Sequence, residues 1–141
     1  MNKNILKING EEIDKALKKE NRQYLVGELK RPQLLEHIND SKLEIGITSY
    51  DSYTTEAPHT HTQAFEYQYL VSGETSYMDI ENDKIYHFSK GDFYVIRPGI
   101  KYAQKSKPNT KILFIKVPPG DDKINIKTTK KIKKWFEEPI K

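Results

Sequence analysis

The spacing of hydrophobic residues predicts two helical segments near the start of the chain. Residues 11–20, EEIDKALKKE, place Ile13 and Leu17 four residues apart among helix-forming residues, with acidic residues first and lysines last. This is the pattern of a short amphipathic helix. The segment 31–40, RPQLLEHIND, predicts a second helical turn, because its proline suits a first turn and its apolar residues form a stripe. We interpret His37, within that segment, as an ordinary surface or packing residue.

From residue 43 onward the hydrophobic period shortens to that of β-strands. The runs LEIGITSYDSY, AFEYQYLV, TSYMDIE, KIYHF, DFYVI and KILFIKV are rich in β-branched and aromatic residues. Turn-forming pairs separate them, among them Ser72-Gly73, Lys90-Gly91 and Pro98-Gly99. Many short strands with evenly spaced turns predict an all-β antiparallel sandwich or barrel, and IENDKIYHF predicts a hairpin within it.

After Pro118-Pro119-Gly120 the chain becomes basic and returns to a helical period. An apolar stripe falls at i, i+3 and i+4 in KKIKKWFEEPI, formed by Ile132, Trp135 and Phe136. We interpret this stripe as the side of a helix that docks on the sheets while its lysines stay in water. A helix that binds a membrane surface or nucleic acid is the alternative, and we do not favour it, because a run of lysines is usually a solvated face.

The length of the chain predicts a single domain over residues 1–141, because 141 residues bury one core and are too few for two. Its predicted parts are an N-terminal arm over 1–42, a β-barrel core over 43–120 and a basic C-terminal helix over 121–141. The arm contains short helices and an edge strand in QYLVGEL. An edge strand either completes the sheet of its own barrel or pairs across a subunit boundary, and on this basis we expect a homodimer.

The composition of the chain restricts which residues could bind a metal, but it says less about which partner the protein binds. The net charge of +4 is small and the lysines are spread along the chain, so we expect neither nucleic acid nor membrane as a partner. The chain has no cysteine, so a metal would have to use histidine, carboxylate, tyrosine or water. The N-terminal apolar run is too brief for a signal peptide and no run of about 20 apolar residues occurs, so we expect a cytoplasmic protein.

Two histidines and a glutamate lie close together in PHTHTQAFEYQYLVSG, residues 58–73. In an extended strand, His59 and His61 point to the same face. A small turn or bulge across TQAF would bring the carboxylate of Glu66 to their side. Two nitrogens and one oxygen suit a divalent transition metal (Fe, Mn, Ni, Zn or Co), although a lone histidine pair is often only a surface feature.

The same segment reads H-x-H, four residues, E, six residues, G, and so resembles the first motif of the cupin superfamily. The second motif has a weaker counterpart in GDFYVIRPGIKYAQKS, which keeps its glycines but has Tyr102 where the family has a metal-binding histidine. The resemblance spans roughly residues 43–120 and implies a small single-domain cupin. The implied fold is a double-stranded β-helix, or jelly roll, and here it would carry short flanking helices at both termini. The resemblance also implies metal ligands that converge inside the barrel, at His59, His61, Glu66 and the Tyr102 position.

Tyr102 has three open roles: metal ligand as phenolate, proton-bearing hydrogen-bond partner of a substrate or water, or packing residue. Strand alternation adds candidate substrate contacts at Gln68, on the face of Glu66, and at Gln104, on the face of Tyr102. A buried structural amide is the alternative for Gln68. Arg97 precedes the Pro-Gly turn, where it would bind a carboxylate or phosphate at the barrel mouth, or else be a surface arginine. The family has no ligand at the position of His87.

The resemblance implies a function class without naming a substrate. The first hypothesis is a metal-dependent enzyme acting on a small polar molecule such as a sugar, sugar phosphate or organic acid, with Tyr102 and Glu66 as catalytic residues that manage protons. Isomerase or lyase chemistry is weakly favoured over a dioxygenase. The alternative is a non-catalytic cupin that binds or senses a small ligand. A metal-free carbohydrate epimerase is a third reading, which would have little use for the intact histidine pair.

Overall fold

The computed structural model describes residues 4–140. Over that range it contains two helices and ten strands. In chain order these are α1 (Gly10–Lys19), β1 (Arg22–Val26), β2 (Glu44–Tyr50), β3 (Thr54–His61), β4 (Phe65–Ser72), β5 (Glu74–Asp79), β6 (Lys84–Ser89), β7 (Phe93–Ile96), β8 (Tyr102–Ser106), β9 (Thr110–Val117), β10 (Lys123–Asn125) and α2 (Lys130–Glu137). Within the described residues, no helix is long and apolar enough to cross a membrane.

The strands form two five-stranded sheets whose strands all pair antiparallel. The first sheet has the order β1-β2-β9-β4-β7 and the second the order β10-β3-β8-β5-β6. Buried side chains from both sheets meet between them: Leu70 and Ile112 of the first pack with Phe88 of the second, and Tyr94 of the first packs with Tyr77 of the second. The core therefore lies between the sheets, and the prediction of an all-β jelly roll with a short helix towards each end is confirmed.

The strongest local patterns form the elements that they predict. The first helix occupies Gly10–Lys19, and the side chain of Asn9 caps it by accepting a hydrogen bond from the backbone nitrogen of Glu11. The short apolar runs after residue 43 form strands, and IENDKIYHF forms the β5–β6 hairpin with Asp79 opposite Lys84. The predicted and observed elements agree in these segments because the spacing of their hydrophobic residues matches the side that each element buries in the fold.

The second predicted helical turn, over 31–40, is wrong. This segment runs beside β1: the side chain of Gln33 accepts from the nitrogen of Tyr24 at 2.9 Å and donates to its oxygen at 2.7 Å. The nitrogen of Ile38 donates to the oxygen of Leu25 at 2.8 Å. An unpaired strand edge needs partners for its backbone groups, and this demand outweighs the helical stripe of the segment.

The C-terminal segment contains a strand as well as the predicted helix. Residues 123–125 form β10 beside β3, and the helix begins only at Lys130 after the side chain of Thr129 accepts from the nitrogen of Ile132. Ile132 and Trp135 then pack on Met78 and Ala103 of the second sheet. The predicted docking of the apolar stripe is confirmed, whereas the helix is shorter than residues 121–141.

Candidate functional site

The candidate site lies between the two sheets, where four predicted residues meet. Glu66 and Gln68 come from β4 of the first sheet, while His59 and Tyr102 come from β3 and β8 of the second. His59 and Tyr102 are direct cross-strand neighbours. His59 is 2% exposed and Tyr102 is 4% exposed, so this group is shielded from bulk water.

The hydroxyl of Tyr102 lies between a histidine and a carboxylate. It is 2.9 Å from Nε2 of His59 and 3.3 Å from Oε2 of Glu66. Nδ1 of His59 faces the carbonyl oxygen of Ala57 at 2.9 Å, and a carbonyl can only accept, so Nδ1 carries the ring proton and Nε2 accepts from the phenol. The single phenolic proton therefore serves two acceptors.

Burial shapes the protonation of this pair. It raises the pKa of Tyr102 well above that of a free phenol, and the nearby charge of Glu66 raises it further. Burial also lowers the pKa of His59, against the opposing effect of its hydrogen bond to Ala57. In the described structure the site thus holds a neutral phenol against a neutral imidazole.

His61 is hydrogen-bonded to Asp122, a residue outside the predicted motif. Its Nδ1 lies 2.8 Å from Oδ1 of Asp122, and its ring meets that of His59 at 89° with the ring centres 5.2 Å apart. Both histidines therefore have Nδ1 bound to an oxygen acceptor. In a neutral ring this arrangement leaves Nε2 with its lone pair, which is the form of histidine that binds metals, with a carboxylate or carbonyl behind it.

Asp122 is itself anchored by several donors. Its Oδ2 accepts from the backbone nitrogens of Gln63 at 3.0 Å and Ala64 at 2.8 Å, and Lys116 lies 3.1 Å from its Oδ1. Burial opposes its charge, yet these hydrogen bonds together with that of His61 hold the pKa of Asp122 well below its usual range. Sequence reasoning missed this residue, because nothing in the local sequence connects it to a histidine 61 residues earlier.

Gln68 is a buried amide whose hydrogen bonds lie within the barrel. Its Oε1 accepts from the hydroxyls of Tyr77 at 2.6 Å and Tyr94 at 2.7 Å. Its Nε2 donates to Oε2 of Glu66 at 3.3 Å. Gln68 is therefore positioned by two buried phenols and in turn orients the carboxylate of Glu66.

The other two predicted substrate contacts lie apart from this group. Gln104 donates to the hydroxyls of Thr75 at 3.0 Å and Ser106 at 3.4 Å, among buried residues of the second sheet. Arg97 is exposed in the loop after β7, and among the described residues it has no ion pair or side-chain hydrogen bond. His87 lies on β6, bonded to Ser76 and Glu74, and does not join His59 and His61.

Arg22 is a charged residue of the barrel that sequence reasoning did not single out. Its Nε donates to the hydroxyl of Thr48 at 3.1 Å, and its guanidinium lies 5.4 Å from the ring centre of Phe114. Burial opposes its charge, but the nearby charge of Glu56 helps to raise the pKa of Arg22 above its usual value. The available signal was strand alternation, which places Arg22 and Tyr24 on one face of β1.

The donor types fit a divalent transition metal, although the described structure does not assemble a complete set. Among residues 4–140, no three histidine, cysteine, aspartate or glutamate side chains are grouped closely enough to hold one ion. Two imidazoles with Nε2 as a base and a carboxylate are nevertheless the donors that such ions take in sites with open positions. The phenol of Tyr102 lies between His59 and Glu66 and supplies a fourth potential donor.

Comparison with known proteins identifies the fold. No protein-family model and no curated protein matches the chain. Among solved structures, it is similar to an uncharacterized conserved protein with a double-stranded beta-helix domain from Klebsiella pneumoniae, at 16% identity over 89% of this chain and 99% of that one, with a TM-score of 0.59.

Two further structures are similar to parts of the chain. KdgF from Halomonas sp. is 17% identical over 72% of this chain and 80% of its own, with a TM-score of 0.54. A chain from the crystal structures of the DMSP lyases RdDddP and RnDddQII is 16% identical over 75% of this chain and 52% of its own, with a TM-score of 0.60. The chain thus has a double-stranded β-helix fold, which is the fold that the resemblance of its first motif implied.

Proposed function

We propose that this protein is a metal-binding cupin that acts on a small polar molecule, such as a sugar, a sugar phosphate or an organic acid. The observation that carries the proposal is the shared state of His59 and His61. Each has Nδ1 bound to an oxygen acceptor, so that Nε2 is the nitrogen available to a metal, on a strand that faces the carboxylate of Glu66. This is an arrangement suited to metal binding more than to packing.

In this proposal His59, His61 and Glu66 hold the ion, and Tyr102 is either a fourth ligand or a proton-bearing neighbour. When bound, a divalent ion supplies a Lewis acid that polarises an oxygen of the substrate. The remaining steps belong to the chain itself. Gln68 orients Glu66, and the buried phenols of Tyr77 and Tyr94 fix Gln68 and exclude water from it.

Isomerase- or lyase-type chemistry suits these residues better than oxygen chemistry. Both reactions need a proton to leave one substrate atom and arrive at another, and Tyr102 shares one proton between an imidazole and a carboxylate. Tyr102 and Glu66 are therefore the proposed proton-carrying residues. A structural neighbour that is a lyase by name agrees with this choice.

A non-catalytic cupin that binds a small ligand is the second candidate. It is favoured by one specific observation: the buried phenols of Tyr77 and Tyr94 and the amide of Gln68 already hydrogen-bond one another. An interior of this kind is stable without an ion. Metal content separates the two candidates.

The test is the metal content of untagged protein, measured by mass spectrometry after exposure to iron, manganese, nickel, cobalt and zinc. We expect about one ion per chain in the wild type, as a site with two histidines and one carboxylate would hold. We expect His61→Ala to lose the ion and the matched control His87→Ala to keep it, because His87 lies on another strand beside Glu74. Loss of the ion in Tyr102→Phe would identify the phenol as a ligand. A wild type that stays empty would refute metal binding and favour the ligand-binding candidate.

A further inference from the structure

The first sheet carries a large uncovered apolar surface on the side that faces away from the barrel interior. Side chains at alternate positions of β4 and β7 point outward here, together with the end of β9. We call this surface the β4–β7 face, and its most exposed residues are Phe65, Tyr69, Val71, Phe93, Val95 and Val117.

The pairing of the strands makes this surface continuous. Tyr69 lies opposite Phe93, and Phe65 lies opposite Val117. The ring of Tyr67 stacks with Phe65 on one side and with Phe93 on the other, at centre distances of 6.4 and 6.3 Å. Phe93 is 64% exposed and is the most exposed of these residues.

The two described helices leave this surface open. Helix α2 buries Ile132 and Trp135 against the second sheet. Helix α1 lies at the other end of the first sheet, where Gln23 of β1 donates to the backbone oxygen of Ala16 at 3.2 Å. Each sheet thus has a helix, but the helix of the first sheet lies at β1 and leaves β4 and β7 exposed.

We propose that the β4–β7 face is the interface of a homodimer, formed when two copies of this chain pack these faces together. The six exposed side chains present roughly 500 Å² of apolar surface, if a whole aromatic side chain is taken as about 200 Å². A stable interface takes about 800 Å² from each partner, and the half-buried side chains between these six bring the face close to that size. Monomeric proteins rarely expose a contiguous apolar patch of this size to water.

Charge favours a second copy as the occupant. The chain carries 24 basic and 20 acidic residues, so charged side chains are spread over much of its surface. The six residues of the β4–β7 face are all uncharged. Two such sheet faces related by a twofold axis can therefore pack their apolar side chains together as in a β-sandwich.

The edge of the first sheet is a poorer route to the same dimer. The open side of β1 is already occupied by its own chain, through the side chain of Gln33 and the backbone of Ile38. The dimer that the sequence suggests through an edge strand is therefore proposed through a face instead. This interface does not depend on the proposed metal site, because the interior side chains of β4 point the opposite way.

The test is the molar mass of the protein in solution, by size-exclusion chromatography with light scattering over a range of concentrations. We expect twice the mass of the chain for the wild type and the mass of one chain for Phe93→Asp. The matched control is Leu34→Asp, which places the same charge on a residue that is 67% exposed outside this face and should remain dimeric. Val95→Lys provides a second change within the face should Phe93→Asp fail to fold.

Two results would overturn the interface. One is a wild type that is monomeric at about 100 µM, since an apolar interface of this size should hold well below that concentration. The other is a dimer that persists in folded Phe93→Asp and Val95→Lys, because it would have to form elsewhere. Wild-type monomer that binds neutral phospholipid vesicles would also reject the homodimer and assign the face to a lipid surface.

Discussion

Asp122 accepts hydrogen bonds from two backbone amides and also holds Nδ1 of His61. Its carboxylate joins the turn after β3 to β9, because Lys116 of β9 contacts the same oxygen as His61. The orientation of a proposed metal ligand thus depends on a residue that no motif contains. Carboxylates in this position usually set both the direction and the basicity of the histidine ring.

Asp122→Asn should lower the free energy of unfolding by about 1–3 kcal/mol, because one of the two oxygens becomes a donor and leaves its partners without an acceptor. The matched control is Asp121→Asn, at an exposed neighbour, for which we expect a change within about 0.5 kcal/mol. Urea unfolding followed by circular dichroism measures both. Equal stabilities of the two variants would show that Asp122 does not anchor this turn.

Glu74 gives a pH dependence whose sign follows from its partners. Lys107 and then His87 hydrogen-bond its carboxylate and lower the pKa of Glu74 below the ordinary value of 4.5. A carboxyl whose pKa is lower in the folded state stabilises the fold above its unfolded pKa, and this contribution disappears as the pH falls through the folded pKa.

We therefore expect Glu74→Gln to melt at a lower temperature than the wild type at pH 6, with a difference that shrinks as the pH falls below about 4.5. Thermal melting between pH 3 and pH 6 measures this difference. Glu28→Gln is the control at an exposed position and should show no such trend. A gap between wild type and Glu74→Gln that widens in acid would contradict the ion pair.

At the scale of elements, strand β4 serves two purposes on its two sides. Glu66 and Gln68 point inward to the candidate site, while Phe65 and Tyr69 point outward to the β4–β7 face. Period-two alternation makes this division possible within eight residues. Outward substitutions are therefore expected to change assembly and leave metal content unchanged.

Helix α2 depends on burial for its place on the second sheet. Ile132 is 1% exposed among Met78, Ala103 and Trp135. Ile132→Ala should lower the free energy of unfolding by about 2–5 kcal/mol, because it leaves a cavity where packing is close. Ile124→Ala, at a side chain that is 52% exposed, is the matched control and should cost no more than about 0.5 kcal/mol. Denaturant unfolding of both variants decides whether α2 is part of the core.

At the scale of the whole molecule, the two sheets are covered unequally. The second sheet is closed on its outer side by α2, and Lys105 reaches the last carbonyls of that helix at Trp135 and Glu138, 2.7 and 2.8 Å away. Within residues 4–140, nothing comparable covers the first sheet over β4 and β7. The proposed dimer would complete the covering that the chain leaves unfinished, on the side opposite to the helix.

The parts of this protein that depend on local pattern could be predicted from the amino-acid sequence. Runs with a period of two became the strands, the capped amphipathic segment became α1, and the apolar stripe of 132–136 became the docked side of α2. The histidine pair and Glu66 were also visible, because their spacing along one strand and turn is short. Side-chain periodicity acts over a few residues, so a single sequence carries it completely.

The contacts between distant parts of the chain depend on the three-dimensional fold and on no local pattern. It turned residues 31–40 from a helical stripe into an edge partner of β1, and it brought Asp122 to His61. It also surrounded Gln68 with phenols from two other strands, and it joined Arg22 of β1 to Thr48 of β2. The physical reason is that buried polar groups and open strand edges must find partners wherever the fold brings them, and sequence distance does not limit that choice.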